Sequence, residues 1–302
     1  MKKLSNNQLT KAKDFAFKNG RILDIELMNH YFNGDNSSNV LAELRKFQNP
    51  DGGFAYGLEP DLRTDVSSNI AMTYAFQYFQ KLNSSTLPEF LYKAIEFFEE
   101  NYSKEHQRWI PIPEETNDSP HAVWWTYDKE KYLQDSEWGN PTVEIIGYLL
   151  KYENNFDENE LETLKQKALK RLSDAKEVEV HELMCYQRFV KSLDKKETDQ
   201  VYDKICKLAV KQVEKDSTKW GGYVARPLNF VDSPKSPVYE VLGDEVDQEL
   251  DYLIENFEPC GGWYPNWDWM MFEKEWQKVK PEVAGMITVK NLVTLRKFGR
   301  IG

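Results

Sequence analysis

Apolar positions recur every three or four residues along most of the chain, which is the spacing of an amphipathic helix. The pattern predicts eight helices, over residues 69–82, 87–102, 143–152, 161–172, 181–193, 201–213, 238–257 and 283–298. Several of these segments open on a proline beside a polar residue, as at Ser236-Pro237 and Lys280-Pro281. No segment alternates apolar and polar residues around a hairpin turn, so the chain is predicted to be all-α.

Glycine corners followed by an aromatic residue interrupt this helical pattern. The fullest is Phe-Gln-Asn-Pro-Asp-Gly-Gly-Phe at 47–54, and shorter versions lie at 138–141, 220–223 and 257–264. Their spacing fits multiples of about 40 residues, the length of a helix-turn-helix repeat. Because glycine allows a left-handed cap and a close backbone approach, each corner is predicted to fold one helix back beside the next. With no low-complexity linker, residues 1–302 are predicted to form a single domain.

The corner at 47–54 resembles a known repeat, that of squalene-hopene cyclases and protein prenyltransferase β subunits. Gln48 closes the helix, and Asp51-Gly52-Gly53-Phe54 follows it, while the corners at Gly221 and Gly261 match only the second half of the motif. The resemblance implies a terpenoid cyclase and prenyltransferase-like α/α toroid, in which inner and outer helices alternate around a central cavity. A fold does not assign a reaction, so the substrate stays open.

The catalytic motifs of that superfamily are absent from the sequence. There is no Asp-x-Asp-Asp for protonating an alkene and no Asp-Asp-x-x-Asp for holding magnesium. The prenyltransferase zinc site needs a histidine after its cysteine, but the last histidine, His181, precedes Cys260. No metal and no other cofactor is therefore predicted.

The irregular stretches after the corners carry the candidate functional residues, since long ordered loops on a helical scaffold are where sites are usually built. Acidic groups and one histidine are the candidates for proton transfer: Glu59, Asp61, Asp65, His121 and Asp268. Aromatic, basic and acidic loop residues are the candidates for substrate binding: Trp124, Trp125, Arg226, Asp232, Trp263, Trp267 and Trp269. A central cavity both aromatic and acidic is predicted, with a small molecule or an oligosaccharide as its ligand.

Three functions remain open on these residues. The leading hypothesis is an enzyme on the cyclase-like scaffold with an unassigned substrate. A carbohydrate-active hydrolase or lyase is the first alternative, because it needs paired carboxylates and aromatic faces for sugar stacking. A toroid that binds a ligand without catalysis is the second.

Composition narrows the partners further. A formal net charge of -11 disfavours nucleic acid and anionic membrane surfaces. The chain has no apolar run long enough for a membrane span and no signal peptide after its two N-terminal lysines. Three widely spaced cysteines without a CxxC pair fit reduced thiols, so a cytoplasmic location is predicted. The oligomeric state is not predicted.

Overall fold

A computed structural model describes residues 1–82, 84 and 86–302. Within them the chain forms α1 (Asn6–Asn19), α2 (Ile22–Asn33), α3 (Ser37–Arg45), α4 (Asn69–Gln80), α5 (Glu89–Glu100), α6 (Lys129–Leu133), α7 (Thr142–Lys151), α8 (Glu158–Asp174), α9 (Val180–Phe189), α10 (Lys195–Gln212), α11 (Pro227–Phe230), α12 (Tyr239–Glu255) and α13 (Glu273–Lys297). Between these described helices lie short 3-10 turns and isolated β-bridges, and the same residues include no β-strand. The all-α prediction is confirmed.

Every segment with helical periodicity contains a helix, and the differences lie at the ends. The last helix differs most, because α13 begins about two turns before Lys280 and carries Pro281 in its interior. A proline there removes one backbone donor, yet the helix continues, since its C-terminal part is buried along much of its length. The N-terminal helices α1 and α2 were outside the predicted set.

One compact unit consists of residues 1–43 and 209–302. In it α13 packs against both α1 and α2, so the last helix of the chain lies beside the first two. The chain ends are also joined directly. The Leu4 amide donates to the Arg300 carbonyl at 2.8 Å, and the Gly302 amide donates to the Leu4 carbonyl at 2.9 Å.

The other compact unit spans residues 44–208. Helix α7 contacts α4, α5, α8 and α9, and eight of its residues are buried. Aromatic stacking fills the space beside it, with the rings of Phe76 and Tyr148 at 4.5 Å between centroids. Burial of such large rings is the main favourable contribution to a core of this kind.

The same glycine corner recurs once in each unit with closely matching contacts. In the first corner Gly52 has a φ of 89° and faces the backbone of Lys93, while Gly53 faces the ring of Phe97. Its amides close the turn through Gly52 N to Asn49 O at 3.0 Å and Asn49 N to Gly53 O at 2.8 Å. The corner therefore seats a tight turn directly on helix α5.

The second copy of the corner repeats this arrangement on α1. Gly261 has a φ of 101° and faces the backbone of Lys11, and Gly262 faces the ring of Phe15. The turn closes through Gly261 N to Glu258 O at 2.9 Å and Glu258 N to Gly262 O at 3.3 Å. In both corners the first glycine thus packs on a lysine backbone and the second on the ring of a phenylalanine four residues further along the same helix.

The corner at 220–223 differs from these two. Gly221 and Gly222 are exposed, and no backbone of another helix closes on them. Tyr223, the aromatic residue that follows this glycine pair, is 67% exposed. Among the described residues, no helix has the length and apolar character needed to cross a membrane.

Candidate functional site

The loop between α3 and α4 and the segment before α6 form one paired structure. Leu62 and His121 face each other in an antiparallel bridge. The Ala122 amide donates to the Asp61 carbonyl at 2.9 Å, and the Arg63 amide donates to the Pro120 carbonyl at 2.9 Å. Two separately predicted functional segments are therefore held side by side in the unit of residues 44–208.

Glu59 and Asp61 are the acidic pair at the centre of this structure. They are 3% and 6% exposed, respectively. The Asp61 amide donates to Glu59 Oε2 at 2.8 Å, so the two residues share one turn. Burial is the largest cause that raises the pKa of Glu59 well above its usual range, and the neighbouring Asp61 charge raises it further. The fold therefore favours the protonated form of Glu59 more than water does.

Three side chains around the pair modulate its charge. The Tyr74 hydroxyl donates to Glu59 Oε1 at 3.4 Å. The neighbouring Trp125 side chain and the charge of Arg63 both act to lower the pKa of Glu59, but burial outweighs them. Burial, followed by the charges of Glu59 and Asp61, raises the pKa of Tyr74. Tyr74 thus stays a neutral phenol beside the acid.

An apolar cluster lies next to the acidic pair along the chain, since it includes Leu62. Leu62, Ile70, Ile112 and Tyr132 form its buried part, and Trp125 packs against it. A low local dielectric disfavours ionisation of a carboxyl group. The arrangement therefore places a carboxyl group with a raised pKa in a partly apolar setting, with an aromatic ring at its edge.

His121 lies in the same structure, but its ring nitrogens have structural partners. Nδ1 is 2.6 Å from the Ser119 carbonyl oxygen, and Nε2 is 3.3 Å from Thr126 Oγ1. A carbonyl oxygen only accepts, so Nδ1 carries a proton. The ring is buried and holds the turn that presents Trp125.

The other sequence candidates of this unit are more exposed. Asp65 is exposed and its backbone carbonyl accepts from Asn49 Nδ2 at 2.8 Å. Trp124 is half-buried. Neither carries a contact that ties it to the Glu59 carboxyl, so the acidic centre consists of Glu59 and Asp61.

The remaining candidates belong to the unit of residues 1–43 and 209–302. Trp263 and Trp269 are core residues: the Trp263 indole donates to the Leu253 carbonyl at 2.9 Å, and Trp269 packs on Trp276 at 5.3 Å between rings. Trp267 is half-buried, and Asp268 is exposed and accepts from the Met270 amide at 2.7 Å.

The two charged candidates of that unit differ in their surroundings. Asp232 is exposed, and its charge contributes to the raised pKa of Tyr31, for which burial is the larger cause. Arg226 Nε lies 3.1 Å from Oε1 of the buried Glu249. Burial raises the pKa of Glu249, and Arg226 lowers it in part.

A second polar cluster in the unit of residues 44–208 was missed by sequence reasoning. Glu144, on α7, is 2% exposed, and Arg188 Nε on α9 lies 2.7 Å from its Oε2. Gln77 Nε2 donates to Glu144 Oε1 at 2.9 Å, and the Tyr148 hydroxyl donates to the same oxygen. The available signal was a single glutamate inside the otherwise apolar run Thr142–Lys151.

Two of the cysteines, one inside this cluster and one exposed, allow its burial to be tested. Cys185 is buried beside Glu144, with Sγ 3.5 Å from Oε2, and burial raises the pKa of its thiol. Cys260 is exposed. Because the thiolate is the reactive species, iodoacetamide is expected to modify Cys260 first and to reach Cys185 only after unfolding.

Peptide mass spectrometry of the native and denatured protein measures the order of alkylation. Alkylation of Cys185 in the native protein at a rate within about tenfold of Cys260 would contradict the buried position of the cluster.

The unit of residues 44–208 thus contains two buried polar clusters: the acidic pair of Glu59 and Asp61, and the arginine network formed by Glu144 and Arg188 with Gln77 and Tyr148. Among the residues described, no three His, Cys, Asp or Glu side chains converge as a metal site would require. Comparisons with protein-family models, curated proteins and solved structures found no match to this chain.

Proposed function

We propose that the chain is an acid–base enzyme on a terpenoid cyclase and prenyltransferase-like α/α toroid, with Glu59 as its proton donor. The observation that carries the proposal is the raised pKa of a fully buried Glu59 beside Asp61. A carboxylic acid kept neutral near pH 7 is the form that general-acid catalysis requires. No substrate is assigned beyond a small molecule that accepts this proton.

The proposed step is a simple proton transfer. The O–H bond of Glu59 breaks, its proton forms a bond to a basic or electron-rich atom of the substrate, and the glutamate becomes an anion. Asp61 and the face of Trp125 stabilise the positive charge that develops on the substrate. Tyr74, which donates to Glu59 Oε1 at 3.4 Å, stabilises the conjugate base.

The toroid rests on the repeated corner. Glycine pairs at Gly52 and Gly261 seat on a lysine and a phenylalanine of a helix in the same way, as expected of structural repeats. The union of the chain ends through Leu4 and Arg300 is the second support, because a ring of helix pairs brings its first and last helices together.

The acidic pair favours this reading over glycoside hydrolysis. Glycosidases place two carboxyl groups on opposite sides of the scissile bond. Glu59 and Asp61 share one turn, where the Asp61 amide donates to Glu59 Oε2 at 2.8 Å. The two acidic residues therefore belong to one short segment rather than to two segments that face each other across a groove.

A panel of acid-labile substrates tests the proposal: alkene-containing isoprenoids, epoxides and aryl glycosides, each incubated with wild type and with Glu59→Gln. The expected result is turnover of one class by the wild type and a loss of about 10²- to 10⁴-fold in the variant. Turnover that survives Glu59→Gln would refute Glu59 as the donor. Ligand binding without turnover, unchanged in Asp61→Asn and Asp268→Asn, would instead establish a non-catalytic binding protein.

A further inference from the structure

Glu144 is a costly residue for the fold to bury. It lies on α7 among apolar side chains and is 2% exposed. Removing a charged carboxylate from water costs several kcal/mol, and pairing it with an arginine often does no more than offset that loss. Apolar residues of similar size would stabilise α7 at least as well. The pair of Glu144 and Arg188 therefore calls for a role other than stability.

The geometry of Arg188 indicates that role. Its Nε lies 2.7 Å from Glu144 Oε2, and Nη2 lies 3.7 Å from Cys185 Sγ. Within the part of the chain that the structure describes, these are the polar contacts of the guanidinium, so Nη1 donates to no protein acceptor. The Arg188 side chain keeps 21% of its surface exposed, which leaves it accessible to a ligand.

Glu144 is itself fixed from two other directions. Gln77 on α4 donates to its Oε1 at 2.9 Å, and Tyr148 on α7 donates to the same atom. One guanidinium is thus oriented by residues of three helices. Such support is what a binding group needs, since an arginine held by its neighbours loses little entropy when a ligand arrives.

Arg188 lies near the proposed proton donor. Tyr74 donates to Glu59 Oε1 at 3.4 Å, and the charge of Arg188 acts on the same Tyr74 hydroxyl by partly offsetting its raised pKa. Gln77, one turn further along α4, contacts Glu144. Helix α4 therefore places the acid and the guanidinium in one neighbourhood.

We propose that Arg188 binds a carboxylate group of the substrate that Glu59 protonates, with Glu144 as the residue that positions the guanidinium. Planar guanidinium groups pair with carboxylates through two parallel N–H donors. The charges favour a monoanion: Arg188 and Arg63 are balanced by Glu144 and Asp61, so little net positive charge remains for a diphosphate. This inference rests on the proposed function of the same site.

Acetate is a probe of this site that requires no knowledge of the substrate. Saturation-transfer NMR of its methyl group measures weak binding directly, with chloride at equal ionic strength as the reference. Saturable binding is expected in the wild type and in Glu59→Gln. Arg188→Lys, which keeps the charge beside Glu144 and thereby the fold, is expected to weaken binding by at least about tenfold because the planar fork is lost.

Two further variants separate an anion site from a structural ion pair. The double variant Arg188→Met with Glu144→Gln removes both charges at once, avoids an unpaired buried carboxylate, and should lose acetate binding. Glu144→Gln alone removes the residue that positions the guanidinium and should weaken acetate binding, while Arg188 keeps its charge. Unfolding by denaturant and protection of Cys185 from alkylation confirm that each variant is folded.

The outcomes test the two proposals, Glu59 as proton donor and Arg188 as carboxylate-binding residue, independently of each other. Absence of saturable acetate binding in the wild type would overturn the carboxylate site. Binding as tight as wild type in Arg188→Lys and in the double variant would overturn it too. The choice of a monoanionic carboxylate would be overturned if inorganic phosphate displaced acetate at a lower concentration than acetate itself needs for binding. Loss of turnover in Glu59→Gln with acetate binding intact supports the proton donor, whereas retained turnover contradicts it and leaves Arg188 as an anion-binding residue.

Discussion

Replacement of Glu59 by glutamine is expected to stabilise the protein at neutral pH although it removes the proposed proton donor. Glutamine is nearly the same size as glutamate and mimics the protonated acid. In the wild type the Asp61 amide donates to Glu59 Oε2 at 2.8 Å, and the amide oxygen of glutamine can accept the same hydrogen bond. Burial is the main cause of the raised pKa of Glu59, so the folded protein disfavours the ionised form of this group relative to the unfolded chain.

The sign of the effect follows from the two pKa values of Glu59. The unfolded chain ionises the group near its ordinary value of 4.5, and the folded protein ionises it well above that. The group's contribution to stability is therefore complete below pH 4.5 and is lost as the pH rises towards the folded value. Glutamine does not ionise, so we expect Glu59→Gln to be more stable than wild type at pH 7, by a margin that grows as the pH rises.

Urea unfolding of wild type and Glu59→Gln between pH 4 and pH 8 measures this difference. The two curves should converge near pH 4 and separate as the pH rises. Glu153 supplies a matched control, since it is exposed in the same unit and its change to glutamine should alter stability by less than about 0.5 kcal/mol at any pH. A Glu59→Gln variant less stable than wild type at pH 7 would contradict the raised pKa of Glu59.

The loops and the helices differ in how far the sequence predicts them. Apolar periodicity is a local signal, so α4 and α12 were predicted within a few residues. Glu59, Asp61 and Trp125 were selected because acidic and aromatic residues in long loops are unusual. Their pairing through the bridge of Leu62 and His121 was not predictable, because it depends on two segments that are far apart in sequence.

The arginine network was missed for a related reason. Glu144 and Arg188 stand at ordinary positions of α7 and α9, where a charged residue normally belongs to a solvated face. Only the packing of α4, α7 and α9 brings Gln77, Glu144 and Arg188 together. A sequence records the residue types but not which faces of separate helices meet.

The glycine corners are predicted by the local sequence and are also fixed by tertiary packing. Substituting their glycines is expected to give the second large change in stability, a loss. Gly52→Ala and Gly261→Ala are each expected to destabilise the protein by more than about 3 kcal/mol. Both residues have positive φ, and an added Cβ would collide with backbone: with the Lys93 carbonyl oxygen at the first corner, and at 2.5 Å from the Lys11 carbonyl oxygen at the second. A carbonyl inside a helix cannot move aside as a flexible side chain can.

Gly34→Ala is the matched control for these two variants. Gly34 also has a positive φ, 72°, but an added Cβ there meets no atom within 4 Å. Its substitution therefore costs only the left-handed conformation, about 1 to 2 kcal/mol. Denaturant unfolding of the three variants separates the two costs. If Gly52→Ala and Gly261→Ala were no more destabilising than Gly34→Ala, the corners would not seat on α5 and α1, and the proposed toroid would lose the repeat on which it rests.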